Sequence, residues 1–307
     1  MPLYLTERDV EALITPGEAV PVLEACFLRL AGGAVENVPR RRLGGGSLSV
    51  MSAVDPELGY AGVKAYTIVE GRAVFAVSLF DLRTGELAAV LEADTAGQRR
   101  TGAASGVAAK HLARSGATTL GVIGCGWQAE SQVEAIQAAL PAVEKVVAYC
   151  RTPQRLQAFC ERVGAETAES HADAAAQDVV VTITTSRDPV LRGEWLGEGA
   201  LVCAAGANHP SKRELDNVVL ERASFVCCDS RENARLESGD LIEPVEAGVL
   251  DWLEVHELQD VVAGTVPGRT SDDDVVVFKS NGLAVWDVAI AAELLRRARE
   301  RGVGTAL

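Results

Sequence analysis

The sequence predicts an α/β protein: a doubly wound parallel sheet in the middle of the chain, and a second, α+β part built from its ends. Three observations predict it. From Thr118 onward, apolar strand-length runs alternate with helical stretches, the rhythm of a parallel sheet with helices on both faces. One of those strands, Thr119-Leu120-Gly121-Val122-Ile123, runs into a glycine turn that opens a helix. The N-terminal third instead carries closely spaced β-rich runs, which suit an antiparallel sheet.

The elements follow in order. Thr15-Pro16-Gly17-Glu18 starts a helix: Thr15 caps, Pro16 suits the first turn, and Glu18 completes a capping box. This helix is expected to run to about Leu30 and stop at Gly32-Gly33. Ser47–Val54, Gly62–Val69, Val74–Leu82 and Leu87–Asp94 read as strands, parted by turns at Asp55-Pro56, Glu70-Gly71 and Thr84-Gly85. Ala96 to Ser115 reads as a helix of small residues, fit for close packing. Strands are then expected at Thr119–Ile123, Lys145–Cys150, Asp178–Thr184, Ala200–Ala205, Ser224–Cys228 and Asp274–Phe278. The last helix, about Gly282 to Arg301, is expected to return to the N-terminal part.

Size and charge bound the function. A chain of 307 residues suits two domains better than one. A net charge of −14 argues against a broad nucleic-acid or anionic-membrane surface, and no apolar run nears the roughly 18 residues of a membrane span. The N-terminus has no basic start followed by an apolar core, so no signal peptide is expected. Seven cysteines, an odd number without C-x-x-C spacing, read as reduced thiols of a cytoplasmic protein. Four scattered histidines give no metal-ligand spacing, so no metal is expected.

Gly124-Cys125-Gly126-Trp127-Gln128-Ala129 is G-x-G-x-x-A between a strand and a helix, which is the Rossmann dinucleotide fingerprint in its proper context. Gly124 permits the tight turn, and Gly126 lets backbone approach a pyrophosphate. The free amides of the helix start then face the phosphates. NAD enzymes commonly place a carboxylate at the end of the second strand; here stand Cys150 and Arg151, with Thr152 and Arg155 nearby. That set welcomes a 2′-phosphate, so NADP(H) is preferred over NAD(H), although Arg151 could also stack on adenine. Thr184-Thr185-Ser186, at the end of the third strand, is either a further nucleotide-facing edge or an ordinary β–α loop.

Basic residues are scarce, yet Arg40-Arg41-Arg42, Lys64 and Arg99-Arg100 sit in unusual settings for surface charges. With these the chain resembles the ornithine cyclodeaminase/mu-crystallin family. The resemblance spans nearly the whole chain. It rests on Pro39-Arg40-Arg41, Gly62-Val63-Lys64, Arg100-Thr101-Gly102-Ala103-Ala104-Ser105 and the glycine loop. It continues through Gly206-Ala207-Asn208 with Arg213-Glu214-Leu215-Asp216, and Phe278-Lys279-Ser280-Asn281-Gly282-Leu283-Ala284 ending in Asp287.

The resemblance implies a homodimer, with residues 1–115 and 282–307 as substrate and dimerisation domain and residues 116–281 as Rossmann domain. It implies that Arg41, Lys64 and Arg100 surround a substrate carboxylate, which an arginine pairs through two parallel bonds. Like charge from the two arginines should lower the pKa of Lys64, making it a proton donor. Thr101 would meet a cofactor phosphate, and Gly206 and Ser280 complete the expected cofactor contacts. Three departures stand out. Asn208 replaces the aspartate that serves as general base, and an amide cannot take a proton. Ser52 and Gly97 replace a proline and a threonine, changes expected to reshape the pocket. His209, next to Asn208, could donate a hydrogen bond to the reacting nitrogen or be a plain loop residue.

The expected activity is therefore reduction of an imino acid, such as pyrroline-2-carboxylate or piperideine-2-carboxylate, to the amino acid. The alternatives are an ornithine cyclodeaminase-type lyase, an alanine-type amino-acid dehydrogenase, or a non-catalytic NADPH-dependent binding protein for a small carboxylate.

Overall fold

Two capping boxes start the chain's first helices. Strand β1 (Leu3–Leu5) leads to α1 (Glu7–Leu13), where Thr6 accepts from the Asp9 amide and the Asp9 carboxylate accepts from the Thr6 amide. Thr15 and Glu18 repeat the arrangement for α2 (Pro16–Ala31), with Pro16 at a position whose N–H would be unpaired anyway. The structure, a computed structural model, describes residues 1–70 and 72–307; Gly71 of the expected Glu70-Gly71 turn lies outside the described residues.

Five strands follow: β2 (Glu36–Leu43), β3 (Leu48–Asp55), β4 (Tyr60–Val69), β5 (Arg72–Asp81) and β6 (Leu87–Glu92). They pair in sequence order as an antiparallel meander. Strands β1 and β2 lacked a sequence signal. In β2, Pro39 and three consecutive arginines hide the alternation, and β1 is too short to show one. Moreover β1 runs parallel to β6, so the sheet is not wholly antiparallel.

The register aligns one buried row across this sheet. Leu5 pairs with Leu91, Leu91 with Val77, Val77 with Lys64, and Lys64 with Met51. All five are buried. A charged residue in the middle of an apolar row is the anomaly that a functional site explains.

The small-residue helix α3 (Asp94–Leu112) comes next. A Cβ added at Gly102 would meet the Ser131 carbonyl oxygen at 2.2 Å, which is the close packing its composition foretold. Beyond it the chain alternates: β7 (Thr119–Ile123), α4 (Trp127–Ala139), β8 (Lys145–Tyr149), α5 (Pro153–Val163), β9 (Glu166–Thr167), α6 (His171–Ala175), β10 (Val179–Thr182) and β11 (Leu201–Ala204). Then come α7 (Asn217–Arg222), β12 (Ala223–Cys228), α8 (Arg231–Glu237), α9 (Gly239–Glu246), β13 (Val255–Glu257), α10 (Leu258–Val262) and β14 (Val275–Lys279).

Every pair in the second sheet is parallel, in the order β13-β12-β14-β11-β10-β7-β8-β9. The chain moves outward from β7 to β9, then crosses back to β10 on the other side of β7. That reversal is the topological switch point, where ligands of doubly wound sheets bind. Its central strands are buried on both faces and read as unbroken Val-rich runs, as parallel strands do.

The last helix, α11 (Ala284–Arg301), packs on the inner face of the first sheet, as well as on α1 and α2. Phe27 meets Trp286 edge-on at 5.4 Å. A Cβ at Gly62 would strike Val288 Cγ2 at 2.8 Å, so the glycine two residues before Lys64 lets α11 lie close to β4. A final strand, β15 (Thr305–Ala306), pairs with β1. Two compact units result, Met1–Arg100 with Leu283–Leu307, and Thr101–Gly282. The division falls inside α3, between Arg100 and Thr101, where 115/116 was expected.

Candidate active site

In the first unit, Lys64 points inward from β4 and its ammonium donates to Asp287 Oδ1 at 2.8 Å. Arg100 Nε lies 3.5 Å from the same oxygen, and its guanidinium stacks over the Trp286 ring at 5.7 Å. The Lys64 ammonium sits 5.1 Å from the Phe75 ring centre. Burial pushes the Lys64 pKa below the ordinary lysine range; Asp287 opposes that shift, while Arg100 and Arg40 add to it. The expected lowering is present, but loss of water is its main cause and like charge the lesser one.

The arginine brought to this cluster from β2 is Arg40, not Arg41. Arg40 is buried, whereas Arg41 is exposed. Between Val38 and Arg41 the register with β3 shifts: three steps along β2 match two along β3. This bulge inserts one residue and reverses which side chains face inward beyond it. Arg41 pairs with Val50, itself opposite Ala65, and so belongs to the sheet's outer face. Ser52 pairs with Val63 on that outer face too, so it does not border Lys64. Gly97 does border Lys64: a Cβ there would lie 3.0 Å from Nζ.

In the second unit, the carboxyl ends of the parallel strands gather the other expected residues. Gly124 has φ +113°, donates its N–H to the Tyr149 carbonyl, and would strike Ile183 O at 2.4 Å with a Cβ. Gly126 is the N-cap of α4 with no side chain to cap it, and the space over its Cα is open to 4 Å. Trp127 is exposed, Gln128 half-buried, and Ala129 fully buried against the sheet. Backbone amides at an uncapped helix start, approached over a bare glycine, fit a pyrophosphate.

Arg151, Thr152 and Arg155 are exposed around the start of α5, and Cys150 Sγ donates to the Thr152 carbonyl at 3.5 Å. Arg151 lies close enough to His171 to lower its pKa, second to the effect of burial. Thr184 and Ser186 are half-buried, with the Thr184 hydroxyl accepting from the Ser186 amide, and Thr185 is exposed. Thr101 is buried in α3. Ser280 is buried beyond β14, with its hydroxyl 3.4 Å from Asp229 Oδ2. Asn208 is half-buried; exposed His209 shares a 2.8 Å hydrogen bond with the Ser211 hydroxyl.

Sequence reasoning assigned no role to a buried carboxylate that ties two of these loops together. Glu214 accepts from the amides of Thr184 (2.6 Å), Gly206 (2.7 Å) and Ala207 (3.2 Å), and from the Thr182 hydroxyl (3.1 Å). Asp240 holds the Glu214 and Leu215 amides and pairs with Lys279 at 2.9 Å. Lys279 also donates to the Ala204 and Ala207 carbonyls. Burial pushes the Glu214 carboxyl above its ordinary range, against the pull of Lys279. The signal was in the sequence, as charges placed beside apolar strand ends, but which charges meet is a property of the fold. Among the described residues, no cluster of His, Cys, Asp and Glu could hold a metal ion.

The parallel sheet, its switch point and the glycine loop define a Rossmann-type nicotinamide-dinucleotide enzyme. The chain belongs to the ornithine cyclodeaminase/mu-crystallin family, whose profile matches residues 2–302. It is 38% identical to the Δ1-pyrroline-2-carboxylate reductase of Bacillus cereus, over 83% of this chain and 82% of that one. Its fold matches the Δ1-pyrroline-2-carboxylate reductase of Thermococcus litoralis, solved with NADH and L-proline. The TM-score is 0.93 at 31% identity, covering 99% of this chain and all of the other. An archaeal alanine dehydrogenase dimer with bound NAD superposes equally well, with a TM-score of 0.93 at 35% identity over 100% and 98% of the two chains.

Proposed function

We propose that this protein reduces a cyclic 2-imino acid, a five- or six-membered ketimine carboxylate, to the corresponding amino acid at the expense of NADPH. One observation carries the choice of substrate charge. Lys64 and Arg100 are two buried cations that share a single carboxylate, Asp287, which leaves one positive charge in excess, and Arg40 is close enough to act on Lys64 as well. Buried cations at that density are stable with an anionic partner. Likeness to pyrroline-2-carboxylate reductases supports the imine.

Arg100 and Arg40 hold the carboxylate, Arg40 taking the part that the motif gives to Arg41. Lys64, with a lowered pKa and three donor positions, protonates or polarises the imine nitrogen. The reduced nicotinamide supplies hydride when bound. Gly124, Gly126 and the α4 amides hold its pyrophosphate, with Trp127, Gln128, Ala129, Thr101, Gly206 and Ser280 around it. Glu214 keeps Thr184 and Gly206 in place for the nicotinamide end. Asn208 accepts and donates hydrogen bonds but takes no proton, which disfavours cyclodeamination.

The preference for NADP(H) rests on Cys150 and on the exposed cations Arg151 and Arg155 at the ribose position. Homodimerisation rests on the outer face of the first sheet, where Val38, Val63, Val74 and Phe80 are exposed, and on likeness to the alanine dehydrogenase dimer. Seven free cysteines support a reducing cytoplasm. The test is nucleotide oxidation with pyrroline-2-carboxylate, piperideine-2-carboxylate, and pyruvate plus ammonia. Turnover of the cyclic imines with NADPH is expected. Turnover of pyruvate plus ammonia alone would favour the second reading, an alanine-type dehydrogenase. Proline formed from ornithine without added reductant would overturn both.

A further inference from the structure

Gly97 is the fourth residue of α3, and nothing in its own conformation calls for glycine. Its φ is not positive, and its amide donates to the Ala93 carbonyl as in any helix start. Glycine is among the poorest residues for a helix, so its presence asks for a reason. Gly102, five residues on, has one in close backbone packing. Around Gly97 no backbone approaches. A Cβ there would meet a single neighbouring atom within 4 Å, the Lys64 ammonium nitrogen at 3.0 Å. The missing side chain therefore leaves open one approach to that ammonium.

What comes through the opening follows from the donors around it. Lys64 Nζ offers three hydrogens and spends one on Asp287. Arg100 Nε and Trp286 Nε1 are buried in the same cluster and meet no hydrogen-bond acceptor among the described residues. Asp287 Oδ2 is a buried acceptor of the same cluster that also lacks a hydrogen bond. The two spare hydrogens of Lys64, Arg100 Nε and Trp286 Nε1 still outnumber it, and that surplus calls for an incoming acceptor. A carboxylate supplies two oxygens and a compensating charge.

We propose that Gly97 controls access to Lys64: the substrate carboxylate, held by the arginines, also reaches one of the two spare hydrogens of Lys64 across the bare Cα of Gly97, and the other is left for the imine nitrogen. The proposal rests on the imino-acid reading for the ligand's class, and its test does not depend on turnover. Two unreactive carboxylates, acetate and pyrrole-2-carboxylate, are titrated calorimetrically into the full-length protein holding NADP+. Wild type, Gly97→Ala and Gly97→Val are compared. Because the added group stands where the carboxylate sits, both ligands are expected to weaken about tenfold or more in Gly97→Ala, roughly the loss of one charge-assisted hydrogen bond. Gly97→Val should abolish binding of both. NADP+ affinity should stay within twofold, and the melting temperature of Gly97→Ala should hold or rise.

Acetate binding that survives Gly97→Ala while pyrrole-2-carboxylate is lost overturns the proposal, since the space then belongs to the ring. Unchanged affinity for both, with a lowered melting temperature, also overturns it, because the glycine then serves packing alone. A wild-type protein that binds both carboxylates yet reduces no imine would sink the reductase reading and leave this one standing.

Discussion

Asp287→Asn isolates the electrostatics of the cluster. The substitution keeps the shape and an acceptor oxygen but removes the charge that Lys64 and Arg100 share. At the 2.8 Å separation and an effective dielectric of about 20, the Lys64–Asp287 attraction is about 6 kcal/mol before desolvation is charged against it. Removing one partner of a buried pair typically costs about 3–5 kcal/mol, because the other charge stays buried without it. At about 2–4 °C per kcal/mol for a unit of this size, the melting temperature should fall by roughly 10 °C at pH 7.

The pH dependence carries a definite sign. Lys64 already has a folded pKa below its unfolded value, and loss of Asp287 lowers it further. Between the folded value and the unfolded value of about 10.4, the unfolded chain binds more protons, so stability rises with pH. The deficit of Asp287→Asn should therefore be largest at the lower pH values and shrink as pH climbs toward 10. Thermal unfolding at pH 7, 8.5 and 10 measures this. The alkaline limb of kcat/KM for imine reduction should also move to lower pH. In a Lys64→Met background the same substitution should cost much less. A loss under about 1 kcal/mol, or one that does not vary with pH, would refute the reasoning.

Three other outcomes follow from the geometry. Arg40→Ala should raise KM for the imino acid by about a hundredfold, as loss of a bidentate charge-assisted pair implies, while Arg41→Ala stays within about threefold; steady-state kinetics of both would expose a wrong strand register if the order reversed. Arg151→Asp should turn the NADPH preference toward NADH by tenfold or more, read as a ratio of kcat/KM values, and an unchanged ratio would remove the argument from Arg151. Gly124→Ala combines a φ of +113° with a 2.4 Å clash against Ile183 O, so it should destabilise by several kcal/mol and abolish nucleotide binding, as denaturant unfolding and fluorescence titration would show.

Local chemistry wrote much of this protein legibly. The Thr15–Glu18 capping box, the helix of small residues and the strand into Gly124-Cys125-Gly126 each depend on neighbours within a few residues, and each formed within three residues of its expected bounds. The glycine turn between β7 and α4 was readable because glycine spacing is how a sequence writes backbone geometry. Lys64 was readable because a charge in an apolar strand is expensive unless it is used. Arg40 and Arg41 could not be told apart, since one extra residue in β2 reverses the parity of everything beyond it, and a bulge is set by pairing with β3.

The sequence by itself determined the class of fold, the glycine turn after β7 and the presence of scarce basic residues in apolar settings, because these follow from periodicity and composition. Only the tertiary structure decided which cations meet. Asp287 is 223 residues from Lys64 and reaches it because α11 lies on β4, at a closeness that Gly62 allows. Glu214 gathers three backbone amides from two loops by the same kind of long-range closure. Whether Gly97 is a weak point in a helix or an opening over an ammonium is likewise invisible along the chain. It depends on the side chain that another strand sends to meet it.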